Sequence, residues 1–206
     1  KQSKYKTDRF GGTVEWTDPL SNKTVIVRNS NGLVAKITAP DPDGAGALTS
    51  PITMVGYNAA SDPVKIYQPD SSSITRTFDS SNHQLLTETD ELSRTWTFTV
   101  DTAGNRLTAK DAAGNTWTLA YNSRGQVTSV TSPDPDGAGS LTAMVTSNTY
   151  DSYGRATKET NSDSTYRSLA YNSADRVTSV TDELGYTTSY AWDVLDRQTS
   201  VTDALS

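Results

Sequence analysis

The sequence predicts an all-β protein, a repetitive antiparallel β-hairpin meander. Three observations carry this. Turn-forming residues recur at a nearly constant step, the segments between them alternate apolar and polar residues, and no helical periodicity of useful length occurs. The 206 residues suffice for one ordinary domain or a run of small repeats. Hydrophobic residues make up 33%, and even with the 13 glycines the total stays below the roughly 45–50% of globular chains, so a thick core is not expected. Charged residues are only 20%, and Ser and Thr fill roughly a quarter of the chain, which excludes a coiled coil. No run of about 18 apolar residues exists to span a bilayer. A net charge of -6 and a pI near 4.7 argue against nucleic acid, whose phosphates require clustered Lys and Arg.

The turns come first. Tyr121-Asn122-Ser123-Arg124-Gly125-Gln126 recurs as Tyr171-Asn172-Ser173-Ala174-Asp175-Arg176. Tyr150-Asp151, Trp192-Asp193, Val100-Asp101, Phe78-Asp79 and Tyr57-Asn58 fit the same frame, with weaker copies at Arg28-Asn29 and Thr7-Asp8. The repeats therefore start at 7, 28, 57, 78, 100, 121, 150, 171 and 192, in one array over residues 1–206. Every copy has Asp or Asn in its second place. Three residues later stands Gly11, Gly32, Ser61, Asn82, Gly104, Gly125, Gly154, Asp175 or Asp196. Asx side chains bond local backbone, and Gly, Asn and Asp tolerate positive φ, so each copy is expected to carry a tight turn at a fixed offset.

The strands follow from the alternation. Thr95-Trp96-Thr97-Phe98-Thr99-Val100 sets Trp96, Phe98 and Val100 on one face and threonines on the other; Thr116 to Tyr121 and Thr188 to Trp192 repeat the arrangement. A second turn is expected near Asp111–Asn115 and Asp182–Gly185, making each repeat strand, turn, strand, turn. Two steps are longer because of insertions at 40–48 and 133–141, in which Pro40-Asp41-Pro42-Asp43-Gly44-Ala45-Gly46 matches Pro133-Asp134-Pro135-Asp136-Gly137-Ala138-Gly139. Arg28 and Tyr121 share the same offset as the two insertions, so four repeats form a higher-order unit.

Tyr150-Asp151-Ser152-Tyr153-Gly154-Arg155, the full period from Tyr171 to Trp192, and the Arg155, Arg176, Arg197 column resemble the RHS, or YD, repeat family. The resemblance spans roughly residues 7 to 206 and is strongest from Phe78 onward. It implies a long β-sheet that coils into a spiral, a tube or an open shell. In bacterial toxin complexes such shells enclose a toxic segment, and in teneurins they form part of an adhesion receptor.

Candidate chemistry is sparse, and no enzyme is expected. His83 is the only histidine and sits in a turn, where a solvated side chain is the simpler reading than a Ser/His/Asp site. Asp recurs at equivalent turns, which local backbone bonding explains better than paired catalytic carboxylates. Asp41, Asp43, Asp134 and Asp136 are weak calcium candidates, with a proline-initiated turn as the alternative. Trp16, Trp96, Trp117 and Trp192 fit aromatic core stacked from repeat to repeat better than a sugar platform. The Arg column is expected to pair with the turn aspartates at the surface.

The expected function is a structural scaffold of an extracellular or cell-surface protein, associating through open β edges or neighbouring repeats into a fibre or tube. A shell portion enclosing protein cargo, or a glycan-binding module, are the other readings. Cysteine is absent, so no disulfide or thiolate site is expected, and the start Lys1-Gln2-Ser3-Lys4 has no apolar run resembling a signal peptide. That reading makes the chain part of a longer precursor.

Overall fold

The computed structural model describes residues 2–7, 13–44, 46–137 and 139–204. Asp8 and Gly11 of the first expected turn lie outside the described residues. Two compact units divide the chain, Lys1–Thr97 and Phe98–Ser206. The first contains β1 (Lys4–Thr7), β2 (Thr13–Thr17), β3 (Lys23–Arg28), β4 (Val34–Thr38), β5 (Ile52–Tyr57), β6 (Pro63–Tyr67), β7 (Ser73–Phe78) and β8 (Leu85–Thr89). The boundary falls inside β9 (Thr95–Val100). The second unit continues with β10 (Arg106–Lys110), β11 (Thr116–Tyr121), β12 (Val127–Thr131), β13 (Val145–Tyr150), β14 (Ala156–Thr160), β15 (Tyr166–Tyr171), β16 (Val177–Thr181), β17 (Thr187–Trp192) and β18 (Gln198–Thr202). Within each unit the strands pair antiparallel with their sequence neighbours. The described residues contain no helix. The fold is thus the all-β meander that the alternation predicts.

Register separates two faces. Leu119 faces Val130, Leu169 faces Val180 and Tyr190 faces Val201; in the first unit Ile26 faces Ile37, and Val55, Ile66 and Ile74 form a row. The opposite face carries Thr75–Thr89–Thr95 and Thr108–Thr118–Thr131. Hydroxyls bond across it at 2.7 Å between Thr77 and Thr87, and at 2.8 Å between Thr89 and Thr95 and between Thr181 and Thr187. Such cross-strand pairs bond two adjacent backbones without a covering layer. The separation is not complete. Arg76 faces Glu88 on the apolar side, with Nε 2.7 Å from Oε2, and Met54, Lys65 and Tyr67 stand on the threonine side.

The aromatics do not form an enclosed core. Among the described residues no side chain is fully buried; Trp96 is 39% exposed and Tyr166 44%. Within each unit the described rings lie half-covered by their neighbours along the sheet.

Each insertion replaces one hairpin turn. Ala39 N–H donates to Pro51 C=O at 2.9 Å, and Ser132 N–H to Met144 C=O at 2.9 Å, so the ladder resumes directly beyond both loops.

Candidate functional site

The repeating turn is the most elaborated local structure in the chain. At Asp101 the backbone N–H donates to Asn105 C=O at 2.9 Å, and Gly104 N–H to Asp101 C=O at 3.0 Å. Oδ1 of Asp101 accepts from Ala103 and Asn105 N–H, both at 2.9 Å, while Oδ2 takes the Asn105 amide. Gly104 has φ +86°. This is a type I turn followed by a left-handed residue, stapled by the Asx carboxylate. Asn58, Asn122, Asp151, Asn172 and Asp193 build the same cradle, as do Asp18, Asp90, Asp111 and Asp182 at the second turns. One expected position is corrected. In the Asp79 turn the left-handed residue is His83 rather than Asn82, because an added residue moves the closing bond to Asp79 N–H and Gln84 C=O at 2.8 Å.

A bulge precedes the first turn of the repeat, whereas the ladders leading into the second turns at Asp18, Asp90, Asp111 and Asp182 run without a register shift. Register shifts between Gly56 and Tyr57, Thr77 and Phe78, Ala120 and Tyr121, Thr149 and Tyr150, Ala170 and Tyr171, and Ala191 and Trp192. A bulge releases ladder groups, and the carbonyl opposite it needs a partner. The next repeat supplies one. Tyr57 Oη donates to Val34 C=O at 2.9 Å, Tyr121 to Arg106 at 2.9 Å, Tyr150 to Val127 at 2.8 Å, Tyr171 to Ala156 at 2.8 Å, and Trp192 Nε1 to Val177 at 2.7 Å. Val127, Ala156 and Val177 are the residues that face Tyr121, Tyr150 and Tyr171. A relay therefore runs from ring to facing carbonyl to next ring, from Tyr121 to Trp192. Sequence reasoning assigned these rings to packing alone; the choice of Tyr and Trp over Phe at most of the positions was the available signal for a polar end.

The arginine column links turns. Arg155 Nε donates to Asp151 Oδ2 at 2.7 Å, and its Nη1 reaches the next repeat at Asn172 C=O (3.0 Å) and Asp175 Oδ1 (2.7 Å). Its guanidinium lies 4.6 Å from the Tyr171 ring centre. Arg176 Nη2 sits 2.8 Å from Asp196 Oδ2, and Arg197 Nε 2.7 Å from Asp193 Oδ2.

Elsewhere the candidate residues serve their own surroundings. Asp43 Oδ2 accepts Leu48 N–H at 3.0 Å and Asp136 Oδ2 accepts Leu141 N–H at 3.1 Å; Asp41 and Asp134 accept the Asp43 and Asp136 N–H groups. Among the described residues no three His, Asp or Glu side chains are placed to hold a metal. His83 Nδ1 lies 3.1 Å from Asp62 Oδ2 in the preceding turn. Trp16 faces Thr24, Trp96 faces Glu88, Trp117 faces Ala109 and Trp192 faces Gln198, so no two tryptophans are cross-strand partners. No helix of the described residues is long and apolar enough to cross a membrane.

The sequence family described as RHS Repeat matches residues 100–138, 150–185 and 171–206. Residues 100–138 and 150–206 carry RHS repeats. The match begins at Val100-Asp101 and includes the Tyr150-Asp151 and Tyr171-Asn172 turns, which are the positions of the cradle and the relay. Among solved structures, the crystal structure of TcdB2-TccC3-Cdc42 superposes with a TM-score of 0.72 and 16% identity, covering 98% of this chain and 11% of that one. The crystal structure of TcdB2-TccC3 gives 0.66 and 17%, covering 98% and 12%. At such identity the likeness shows the fold, and this chain spans about a tenth of the length of those chains. No curated protein matches it significantly.

The RHS turn chemistry sets an acid limit on stability. Asp101 and Asp111 are held below the ordinary 3.8, first by the side-chain amides of Asn105 and Asn115. Asp90 and Asp193 are held down first by the backbone N–H of Arg94 and Arg197. Each native carboxylate binds a proton less readily than its unfolded counterpart, so their stabilisation is complete above the ordinary value and is lost as pH falls below it. The thermal midpoint is expected to be insensitive to these groups from pH 8 to about 5 and to fall below about pH 4. Asp101→Asn with Asp111→Asn should flatten that fall, since Asn122 and Asn172 already accept the same N–H bonds.

Left-handed serines are the other adjustable element. Ser61, Ser93 and Ser164 have φ of 72°, 63° and 70°. Relief of left-handed strain, less the added freedom of the unfolded chain, predicts that each Ser→Gly change stabilises by about 0.5 kcal/mol. Urea titration of the single and triple variants measures this.

Proposed function

We propose that this RHS chain is a structural wall segment of a secreted, shell-forming protein of the toxin-complex type, without chemistry of its own. The observation that carries the reading is the sheet itself: it leaves none of the described residues enclosed, yet finishes one face with Thr hydroxyl pairs and the other with half-covered aliphatics and rings. A wall needs both faces complete without a packed interior. The superposition on about a tenth of the TcdB2-TccC3 chains supports it, because a wall is assembled from many such segments. Its partners on this reading are neighbouring repeats along the sheet and an enclosed polypeptide.

Electron cryo-microscopy of the polypeptide in which this chain occurs, together with limited proteolysis, tests the proposal. A closed wall containing these repeats and a protease-protected interior segment is the expected result. An open sheet with solvent on both faces and no protected segment would sink it.

A further inference from the structure

The turns of successive repeats touch at one recurring pair of positions. One partner is the residue four places after the Asx; the other is the left-handed residue of the next repeat's turn. Asp62 meets His83 at 3.1 Å, Arg155 meets Asp175 at 2.7 Å, and Arg176 meets Asp196 at 2.8 Å. Ahead of the left-handed Gly125 and Gly154 the predecessor is a neutral amide, Asn105 and Gln126. Gln126 Nε2 donates to Gly154 C=O at 2.6 Å, and a Cβ on Gly125 would lie 3.4 Å from Asn105 Oδ1. Leu33 and Ser61, the corresponding residues earlier in the first unit, carry no charge.

We propose that this pair of positions is a neighbour-selection code: the residue after one RHS turn determines by charge which left-handed residue, and so which repeat, docks beside it. The chain has a physical need for such a device. Tyr121–Thr131 and Tyr171–Thr181 are nearly the same sequence, and a meander of like strands is open to pairing with the wrong copy. Strand ladders and ring bonds cannot discriminate between these two copies, because Tyr121 and Tyr171 make the same bond, to Arg106 C=O and Ala156 C=O. Complementary charge at a position free to vary does discriminate, both by attraction to the right neighbour and by repulsion of the wrong one. The arginine at one side thus selects an acid at the other, and Arg197 reads for an acidic left-handed residue in any repeat that pairs with β18.

The test installs the code where it is now neutral. Gly125→Asp places an acid beside Asn105, and Asn105→Arg supplies its match; an arginine at that place is compatible with its own turn, as Arg155 bonds Asp151. Urea unfolding of the full chain is compared for both single variants, the double variant and Asn105→Glu with Gly125→Asp. The arginine is expected to raise the folding equilibrium constant about three- to fivefold more in the Gly125→Asp background than in the parent, with the gain shrinking in 1 M salt. The glutamate should lower it in that background. The reciprocal exchange Arg176→Asp with Asp196→Arg, each alone and together, asks the same question of an existing pair and is expected to restore in the double what the singles lose. An effect of Asn105→Arg that is equal in both backgrounds, or singles at 176 and 196 that simply add in the double, would overturn the proposal.

Discussion

Tyr171→Ala is expected to destabilise the second unit by about 3.5 kcal/mol. A half-covered tyrosine removes roughly 100 Å² from water, worth about 2.5 kcal/mol at 25 cal/mol per Å², and its hydroxyl adds about 1 kcal/mol. The hydroxyl holds Ala156 C=O, and the ring supports the guanidinium of Arg155, so the substitution breaks the relay and loosens the link between two turns. Tyr171→Phe keeps the ring and is expected to cost only about 1 kcal/mol. Tyr153, 79% exposed, supplies the control: its replacement by Ala should stay within about 0.5 kcal/mol. Urea titration read through Trp117 and Trp192 fluorescence measures all three. Equal effects of Tyr171→Ala and Tyr153→Ala would show that the ring end carries no structural role.

Gly104→Val is expected to cost about 2–3 kcal/mol, the second large effect. At φ +86° a side chain meets its own backbone, and a β-branched one meets it most severely. Replacement by Asn should cost clearly less, since short polar side chains visit this region. Asp175 and Asp196, at φ 61°, already occupy it. The ordering Gly, then Asn, then Val in urea midpoint is the check. A valine that matches asparagine would mean that the turn relaxes to another form.

How far the sequence reveals this protein depends on the range of each interaction. Turns are local, and the Asx with a tolerant residue three places later located the cradles at Asp101, Asn122, Asp151 and Asn172 because all their bonds close within five residues. The Asp79 turn escaped that frame: one extra residue shifts positive φ to His83, and no side-chain type announces an insertion inside a turn. Alternation located the strands and their faces for the same local reason, although Arg76 and Glu88 show that a charged pair across two strands satisfies an otherwise apolar face. The bond from Tyr150 to Val127 C=O joins residues 23 apart and depends on a bulge, which the alternating pattern does not encode. The rings, read as core stacked from repeat to repeat, lie half-covered among the described residues, and their polar ends are held by backbone carbonyls, which packing arguments alone do not specify. The pairing of Arg155 with Asp175 was legible as types, arginine column and acid ladder, but not as a step from one repeat to the next.

The central claim is that the repeats stand by contacts with immediate neighbours and not by a shared core. Native-state hydrogen exchange on Tyr171→Ala, resolved by residue, tests it most directly. Amides of β14 to β17 are expected to lose protection while those of β10 and β11, in the same unit, keep theirs. A uniform loss from β10 through β18 would contradict the claim and require one cooperative interior.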